Sequence, residues 1–258
     1  QMTERFEHAV AMTVQVSEAG DQVFAERVIA DRIDILVDLS GFSKGSRLRA
    51  FALTPAPIQV TAWGYALGTG MPVMDYFFAD DYTIPEHERQ HFAEEIVELP
   101  CIVPYEAPPF APEVNELPSA ADPPKPFTFC SFSRPPKLND AVYDMWAEVL
   151  KAVPGSLLLL KDFSYKLDLQ CSIVAEAFQK RGIDIQRIEF DGPTKQDEHL
   201  ARYHDVDLAL DPWPHGGGVT TLEGLWMGVP TLTLATDRIV SRISGSILRC
   251  LQLDAAFV

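Results

Sequence analysis

The sequence predicts an α/β chain made of two Rossmann-like domains, each with a parallel sheet. Three observations carry that reading. Short, near-continuous apolar runs alternate with segments of helical spacing, the runs end in glycine-bearing loops, and a proline-dense stretch splits the alternation into two blocks. Strands that are apolar throughout belong in a sheet covered on both faces, which is the parallel arrangement.

In the first block, Val23 to Arg32 has helical spacing and leads into the apolar run Asp34 to Leu39, closed by Ser40-Gly41. A helix from Ser46 to Leu53 is stopped by Pro55, and extended runs follow at Ile58 to Trp63 and Met74 to Ala79. Prolines 104, 108, 109, 112, 118, 123, 124 and 126 then exclude both a helix and a central strand. The boundary is placed there, with a first domain over 1–115 and a second over 116–258. The second block predicts strands at Phe127 to Phe132, Leu157 to Lys161, Arg187 to Phe190, Val206 to Leu210 and Pro230 to Leu234. Helices at Asp140 to Ala152, Leu169 to Lys180, Lys195 to His204, Thr221 to Met227 and Val240 to Leu251 separate and follow them. Right-handed crossovers make such a sheet doubly wound, and its ligands sit beyond the carboxyl ends of the strands.

A net charge of −16 opposes nucleic-acid binding, so no nucleic-acid partner is expected. Any phosphate must be held by a local set of donors, which makes single basic residues informative. Four scattered cysteines form no CxxC pair, and no apolar run approaches the ~20 residues that span a bilayer. A cytoplasmic protein with no membrane partner is the expectation. The opening at Gln1, with no strand before it, reads as part of something longer.

Three loops at the predicted strand ends carry candidate chemistry. Asp211-Pro-Trp-Pro-His-Gly-Gly-Gly-Val-Thr-Thr-Leu-Glu223 is a glycine run opening into a helix, where free amides and the helix dipole attract an anion. Neither GxxxxGK[ST] nor GxGxxG occurs, which excludes the common P-loop and dinucleotide patterns, and a flexible turn capped by threonine explains the loop equally well. After Phe190, Thr194 and Asp197 resemble a capping box, and His199 and Arg202 share a helix face suited to a nucleotide base or to solvent. After Phe132, Arg134 and Lys137 place two cations where a diphosphate would be bridged. Convergence of the three loops on one nucleotide diphosphate is the sharper reading. No Asp-x-Asp stands in a suitable loop and His215 is alone, so no metal is expected. In the first block, Ser40 to Ser46 and Trp63 to Gly70 are glycine-bearing loops read equally well as turns or as the far wall of a cleft.

Together these stretches resemble the catalytic region of the O-linked N-acetylglucosamine transferase and SPINDLY family, glycosyltransferase family 41. The resemblance rests on Asp34-Ile-Leu-Val-Asp-Leu-Ser-Gly41, Pro55-Ala-Pro-Ile-Gln59, Trp63-Gly-Tyr65 and Met74-Asp-Tyr76. It continues through Phe132-Ser-Arg-Pro-Pro-Lys137, Asp197-Glu-His199, Leu210-Asp-Pro-Trp-Pro214 and Thr220 to Pro230. It implies a GT-B fold, two Rossmann-like domains facing a cleft, and inverting, metal-independent transfer of N-acetylglucosamine from UDP-GlcNAc to protein Ser or Thr. By position, Lys137 would bind the diphosphate and stabilise the leaving group. Arg134 would lie beside it, while Gly218, Val219 and Thr220 would meet the phosphates. Glu223 would hold the ribose, and His199, Arg202 and the Thr194 backbone would hold the base. Trp63, Gly64 and Tyr65 would lie near the sugar and acceptor. Arg134, Ala66 and Gly218 depart from the family's usual residues, and members divide between UDP-GlcNAc and GDP-fucose. A GDP-fucose-dependent protein O-fucosyltransferase and a non-catalytic sugar-nucleotide-binding module are therefore the alternatives. The resemblance also implies an acceptor protein as partner and helical TPR repeats upstream.

Overall fold

The computed structural model describes residues 2–257. By compactness the chain divides into two units, one of Gln1–Phe78 with Glu88–Val97, the other of Ala79–His87 with Glu98–Val258. Residues 98–115, assigned from the sequence to the first domain, thus cluster with the second unit.

The first unit opens with helices α1 (Met2–Ala9) and α2 (Asp21–Ala30), followed by β1 (Ile35–Asp38), the single-turn α3 (Leu48–Phe51), β2 (Ile58–Thr61), β3 (Tyr76–Ala79) and β4 (Glu95–Glu98). The strands lie in the order β1-β2-β3-β4, with β1 parallel to β2 and β2 parallel to β3. Gln59 ties this sheet to its loops: its Nε2 donates to the carbonyls of Val73 (2.6 Å) and Phe51 (3.2 Å). The expected helix over Ser46 to Leu53 shrinks to four residues. β4 was not expected, because Glu-Ile-Val-Glu offers only two apolar residues of strand signal.

The second unit runs β5 (Thr128–Ser131), α4 (Asp140–Ala152), β6 (Leu157–Lys161), α5 (Asp168–Gln179), β7 (Ile188–Asp191), α6 (Gln196–Ala201), β8 (Leu208–Leu210), α7 (Val219–Trp226), β9 (Thr231–Leu232), α8 (Ile239–Cys250) and α9 (Asp254–Phe257). All five strands pair in parallel, in the order β7-β6-β5-β8-β9. The sheet is covered on both faces, and alternate residues of one strand serve different cores. Phe129, Leu158 and Leu160 pack with Val142, Trp146 and Phe178 on one side. Cys130 and Leu159 pack with Tyr203, Val206 and Met227 on the other.

Local chemistry sets the ends of these elements. Asn139 accepts the Val142 N–H (3.1 Å) and so starts α4 at the residue the sequence predicts. Buried Asp207 accepts the N–H groups of Thr128 and Ser119, both at 2.8 Å, which fastens the proline-dense connection to the start of β5. The strand order reverses between β5 and β8. The loops after these two strands therefore flank the crevice where parallel sheets place ligands.

Candidate functional site

The loop after β8 is built around Asp211. Its carboxylate accepts the Gly217 N–H (2.6 Å) and the Thr233 hydroxyl (2.8 Å), folding the glycine run back on itself. Glycine is required there: a Cβ on Gly216 would stand 2.6 Å from Asp211 Oδ2, and one on Gly217 would stand 2.4 Å from Thr221 Oγ1. Ser244 of α8 closes the back of the turn, donating to the Gly217 carbonyl (3.1 Å) and bonding Thr221 Oγ1 (3.0 Å). Burial raises the Asp211 carboxyl above its usual range, opposed by its hydrogen bonds and by the Lys137 charge.

The turn delivers the chain into α7, two residues earlier than the sequence predicts. The first helical bond, Leu222 N–H to the Gly218 carbonyl, leaves the preceding amides of Val219, Thr220 and Thr221 without intrahelical acceptors. At this end lies Lys137, on a short 3₁₀ turn after β5, whose Nζ donates to the Gly216 carbonyl at 2.7 Å. Burial pulls its ammonium below the ordinary lysine value, countered by Asp211 and reinforced by Arg134. A fixed, half-buried cation thus stands beside a helix start, an arrangement complementary to a diphosphate. Arg134 itself is solvent-exposed.

One turn into α7, Glu223 is 7 % exposed and its Oε2 lies 3.5 Å from His199 Nε2. The His199 ring tilts against Phe132, 5.2 Å between centroids. Phe132, Lys161, Asp162, Thr194, His199 and Glu223 line a cavity of about 330 Å³. The structure therefore links Lys137, the glycine turn, Glu223 and His199 in one continuous chain of contacts.

Arg202 does not share that cavity, contrary to the expectation that it faces the same crevice as His199. α6 ends at Ala201, and the Arg202 guanidinium is held by Glu189, by Asp191 (3.2 Å) and by Asp205 (2.5 Å). Its helix also starts differently. The Glu198 side chain accepts the Lys195 N–H (3.3 Å), one residue beyond the expected Thr194–Asp197 pair, and the Lys195 ammonium, having no acceptor, returns no bond, so the expected capping box does not form. Thr194 remains at the cavity's rim.

Sequence reasoning missed three contributors. Asp211 and Ser244 shape the turn, and Lys161, 2 % exposed, donates from Nζ to Asp191 Oδ2 and to the Gly192 carbonyl, each at 2.8 Å. The signal for Lys161 was present, since a lysine ending an otherwise apolar strand needs a buried partner.

In the first unit the loops after β1 and β2 interlock. A Cβ on Gly64 would stand 1.5 Å from the Leu39 carbonyl oxygen, and one on Gly41, at φ 49°, would enter the Tyr65 ring. Tyr65 meets Phe42 edge-on at 5.9 Å, and Trp63, 45 % exposed, tilts on Phe78 at 5.5 Å. Among the described residues no group of three or more His, Cys, Asp or Glu is placed to hold a metal ion. At His215, desolvation of the imidazole and then the charges of Lys137 and Arg134 lower the pKa. Among the described residues no helix is long and apolar enough to cross a membrane.

The sequence matches the family described as "Glycosyl transferase family 41" over residues 1–102 and 116–256. The chain belongs to glycosyltransferase family 41. Among its relatives is the Arabidopsis thaliana protein named probable UDP-N-acetylglucosamine–peptide N-acetylglucosaminyltransferase SPINDLY, 33% identical over 230 residues. That match covers 88% of this chain and 25% of the relative. The Arabidopsis protein of the same enzymatic description named SEC is 30% identical over 241 residues, 91% of this chain and 24% of the relative. The chain thus spans about a quarter of the curated relatives it matches. A solved lysine-to-methionine mutant of the Thermobaculum terrenum O-GlcNAc transferase superposes with a TM-score of 0.92 at 34% identity, over 98% of this chain and 48% of that one. The family 41 chain therefore has the α/β, GT-B class of fold, with its Rossmann-like units carrying parallel strands.

Proposed function

We propose that this family 41 chain binds the donor in the transfer of N-acetylglucosamine from UDP-GlcNAc to Ser or Thr hydroxyls of proteins. The observation that carries the reading is the Lys137 ammonium fixed on the Gly216 carbonyl at the start of α7, with Glu223 and His199 following one turn on. The diphosphate lies against Lys137 and the amides of Val219 and Thr220, with Arg134 at its solvent side. Glu223 accepts from the ribose, and the base enters the cavity between His199 and the Thr194 backbone. Charge develops on the diphosphate as the bond from its oxygen to the sugar C1 breaks, and a preorganised cation and helix dipole stabilise it there. Those groups do the work a divalent cation would do, so transfer proceeds without a metal or other cofactor. The acceptor hydroxyl attacks C1 from the face opposite the leaving UDP, which inverts the anomeric configuration. Trp63, Gly64 and Tyr65 belong to the sugar and acceptor side. The acceptor is a protein, TPR repeats outside this chain help to present it, and the reaction is cytoplasmic.

The names of the relatives favour this donor and acceptor. Two measurements test it. UDP is expected to raise the melting temperature of the protein, since a ligand stabilises the state it binds. Stabilisation by GDP alone would replace the donor with a guanine nucleotide sugar, GDP-fucose being the leading candidate. Labelled N-acetylglucosamine is expected to pass to bacterial lysate protein and to stop with Lys137→Ala. Nucleotide binding with no transfer would leave a binding module.

A further inference from the structure

Lys161 stands where a lysine is expensive. It ends the apolar strand β6 at 2 % exposure, and a buried ammonium costs free energy unless acceptors answer it. Two do: Asp191 Oδ2 and the Gly192 carbonyl, each at 2.8 Å. Asp191 has a second cation in Arg202, at 3.2 Å. The Gly192 carbonyl, among the described residues, has no donor but Lys161.

That carbonyl opens the stretch Gly192-Pro193-Thr194, which lines the cavity of about 330 Å³ together with Lys161, His199 and Glu223. It belongs to the planar Gly192–Pro193 peptide, and the proline ring locks the torsion that follows. Only ψ of Pro193 then remains soft between the anchored oxygen and the Thr194 amide. Among the described residues the Thr194 N–H and carbonyl have no hydrogen-bond partner, so this edge of the cavity is open to a ligand.

The sheet order sets the edge at the right distance for a base. Lys137 follows β5 and the glycine turn follows β8, whereas Lys161 and Gly192 follow β6 and β7, across β5 from β8. At about 4.8 Å per strand, β6 and β7 stand roughly 10 and 14 Å from β8, a span over which an extended nucleoside diphosphate carries its base away from its phosphates.

We propose that Lys161 is a positioning residue for base selection: through the Gly192 carbonyl it holds the Thr194 backbone edge against the base of a nucleoside diphosphate. It acts through the loop rather than by touching the ligand. Uracil meets such an edge with an N–H beside a carbonyl, and cytosine with a bare nitrogen beside an amino group, so an edge held in one place tells the two apart. The inference rests on the donor-site reading above and adds to it the group that fixes base selectivity.

The test is calorimetric titration of the chain with UDP, CDP and ribose 5-diphosphate, which lacks a base. Wild-type protein is expected to bind UDP at least about tenfold more tightly than either of the others. Lys161→Met keeps an unbranched apolar stem, and is expected to weaken UDP about tenfold while ribose 5-diphosphate changes less than about twofold. The ratio of UDP to CDP affinity falls toward one in that variant. Asp191→Asn removes the ion pair but keeps the Lys161 bond to Gly192, so it is expected to lower Tm and leave the ratio within about twofold of wild type. Equal losses of UDP and ribose 5-diphosphate in Lys161→Met, a wild type that does not tell UDP from CDP, or an Asp191→Asn protein that loses the ratio as fully as Lys161→Met each overturn the proposal. If GDP binds and UDP does not, the donor reading fails alone, and GDP against ADP poses the same question, since guanine and adenine differ in the same two groups. Wild-type protein that binds neither UDP nor GDP removes the donor site itself, a separate failure that takes this inference with it.

Discussion

A methyl group added at Gly217 meets the most crowded point of the site. Its carbon would stand 2.4 Å from Thr221 Oγ1, 2.9 Å from Thr220 Oγ1 and 3.2 Å from Asp211 Oδ1. None of these neighbours retreats cheaply. Thr221 Oγ1 is bonded to Ser244 Oγ at 3.0 Å, and buried Asp211 holds both the Gly217 amide and Thr233. Overpacking of this kind costs about 1–3 kcal/mol. At about 2–4 °C per kcal/mol for a chain of this size, Gly217→Ala is expected to lower Tm by roughly 2–12 °C. The displaced turn also withdraws the Gly216 carbonyl from Lys137, so UDP affinity is expected to fall about tenfold or more, the worth of one hydrogen bond to a charged group. Differential scanning calorimetry with and without UDP reads both effects. Gly192→Ala is the control: its Cβ would meet nothing nearer than Lys166 N at 3.7 Å, and Tm should stay within about 1 °C. A Gly217→Ala protein that melts with the wild type and binds UDP equally would refute the argument that this turn is sterically closed.

Lys137→Met is expected to weaken UDP by about 10–100-fold, a charge-assisted bond's worth, while binding of uridine, which lacks phosphates, changes little; titration with both ligands checks this. The Lys137 pKa is lowered by burial, so its own contribution to folding stability is present above the ordinary lysine value and lost as pH falls through the lowered one. Diphosphate binding needs the ammonium, so UDP affinity should decline as pH climbs through the lowered pKa, and Lys137→Met should flatten that alkaline limb. Because the Arg202 guanidinium is engaged by three carboxylates away from the cavity, Arg202→Met should cost less UDP affinity than His199→Ala, a ranking that one set of titrations decides.

The second unit was more legible in the sequence than the first. α4 and β6 match their expected residues because a side-chain cap, a glycine at φ 79° and an unbroken apolar run mark their ends. α3 and β4 carry four residues each, too few for periodicity to speak. Within the site, the glycine run, Lys137, Glu223 and His199 could be placed at neighbouring strand ends from the βα alternation alone. Arg202 could not be placed correctly, because its i,i+3 spacing from His199 says nothing of Glu189 and Asp191, which reach it from β7. The course of the proline-dense segment, whose Val103 and Val114 approach Gly218 and Gly228 at the two ends of α7, was hidden for a related reason. A run of prolines shows that a segment is neither helix nor strand, and is silent about which helix it lies along.

Asp191 binds two cations at once, Lys161 from the end of β6 and Arg202 from the turn after α6. Two loci distant in sequence thereby become a single unit of inheritance. A homologue that replaces the acid leaves buried Lys161 with the neutral Gly192 carbonyl, whereas Arg202 keeps Glu189 and Asp205, so positions 161 and 191 should change together, and a chimera that crosses over between β6 and β7 into a parent lacking the acid should inherit a stranded charge.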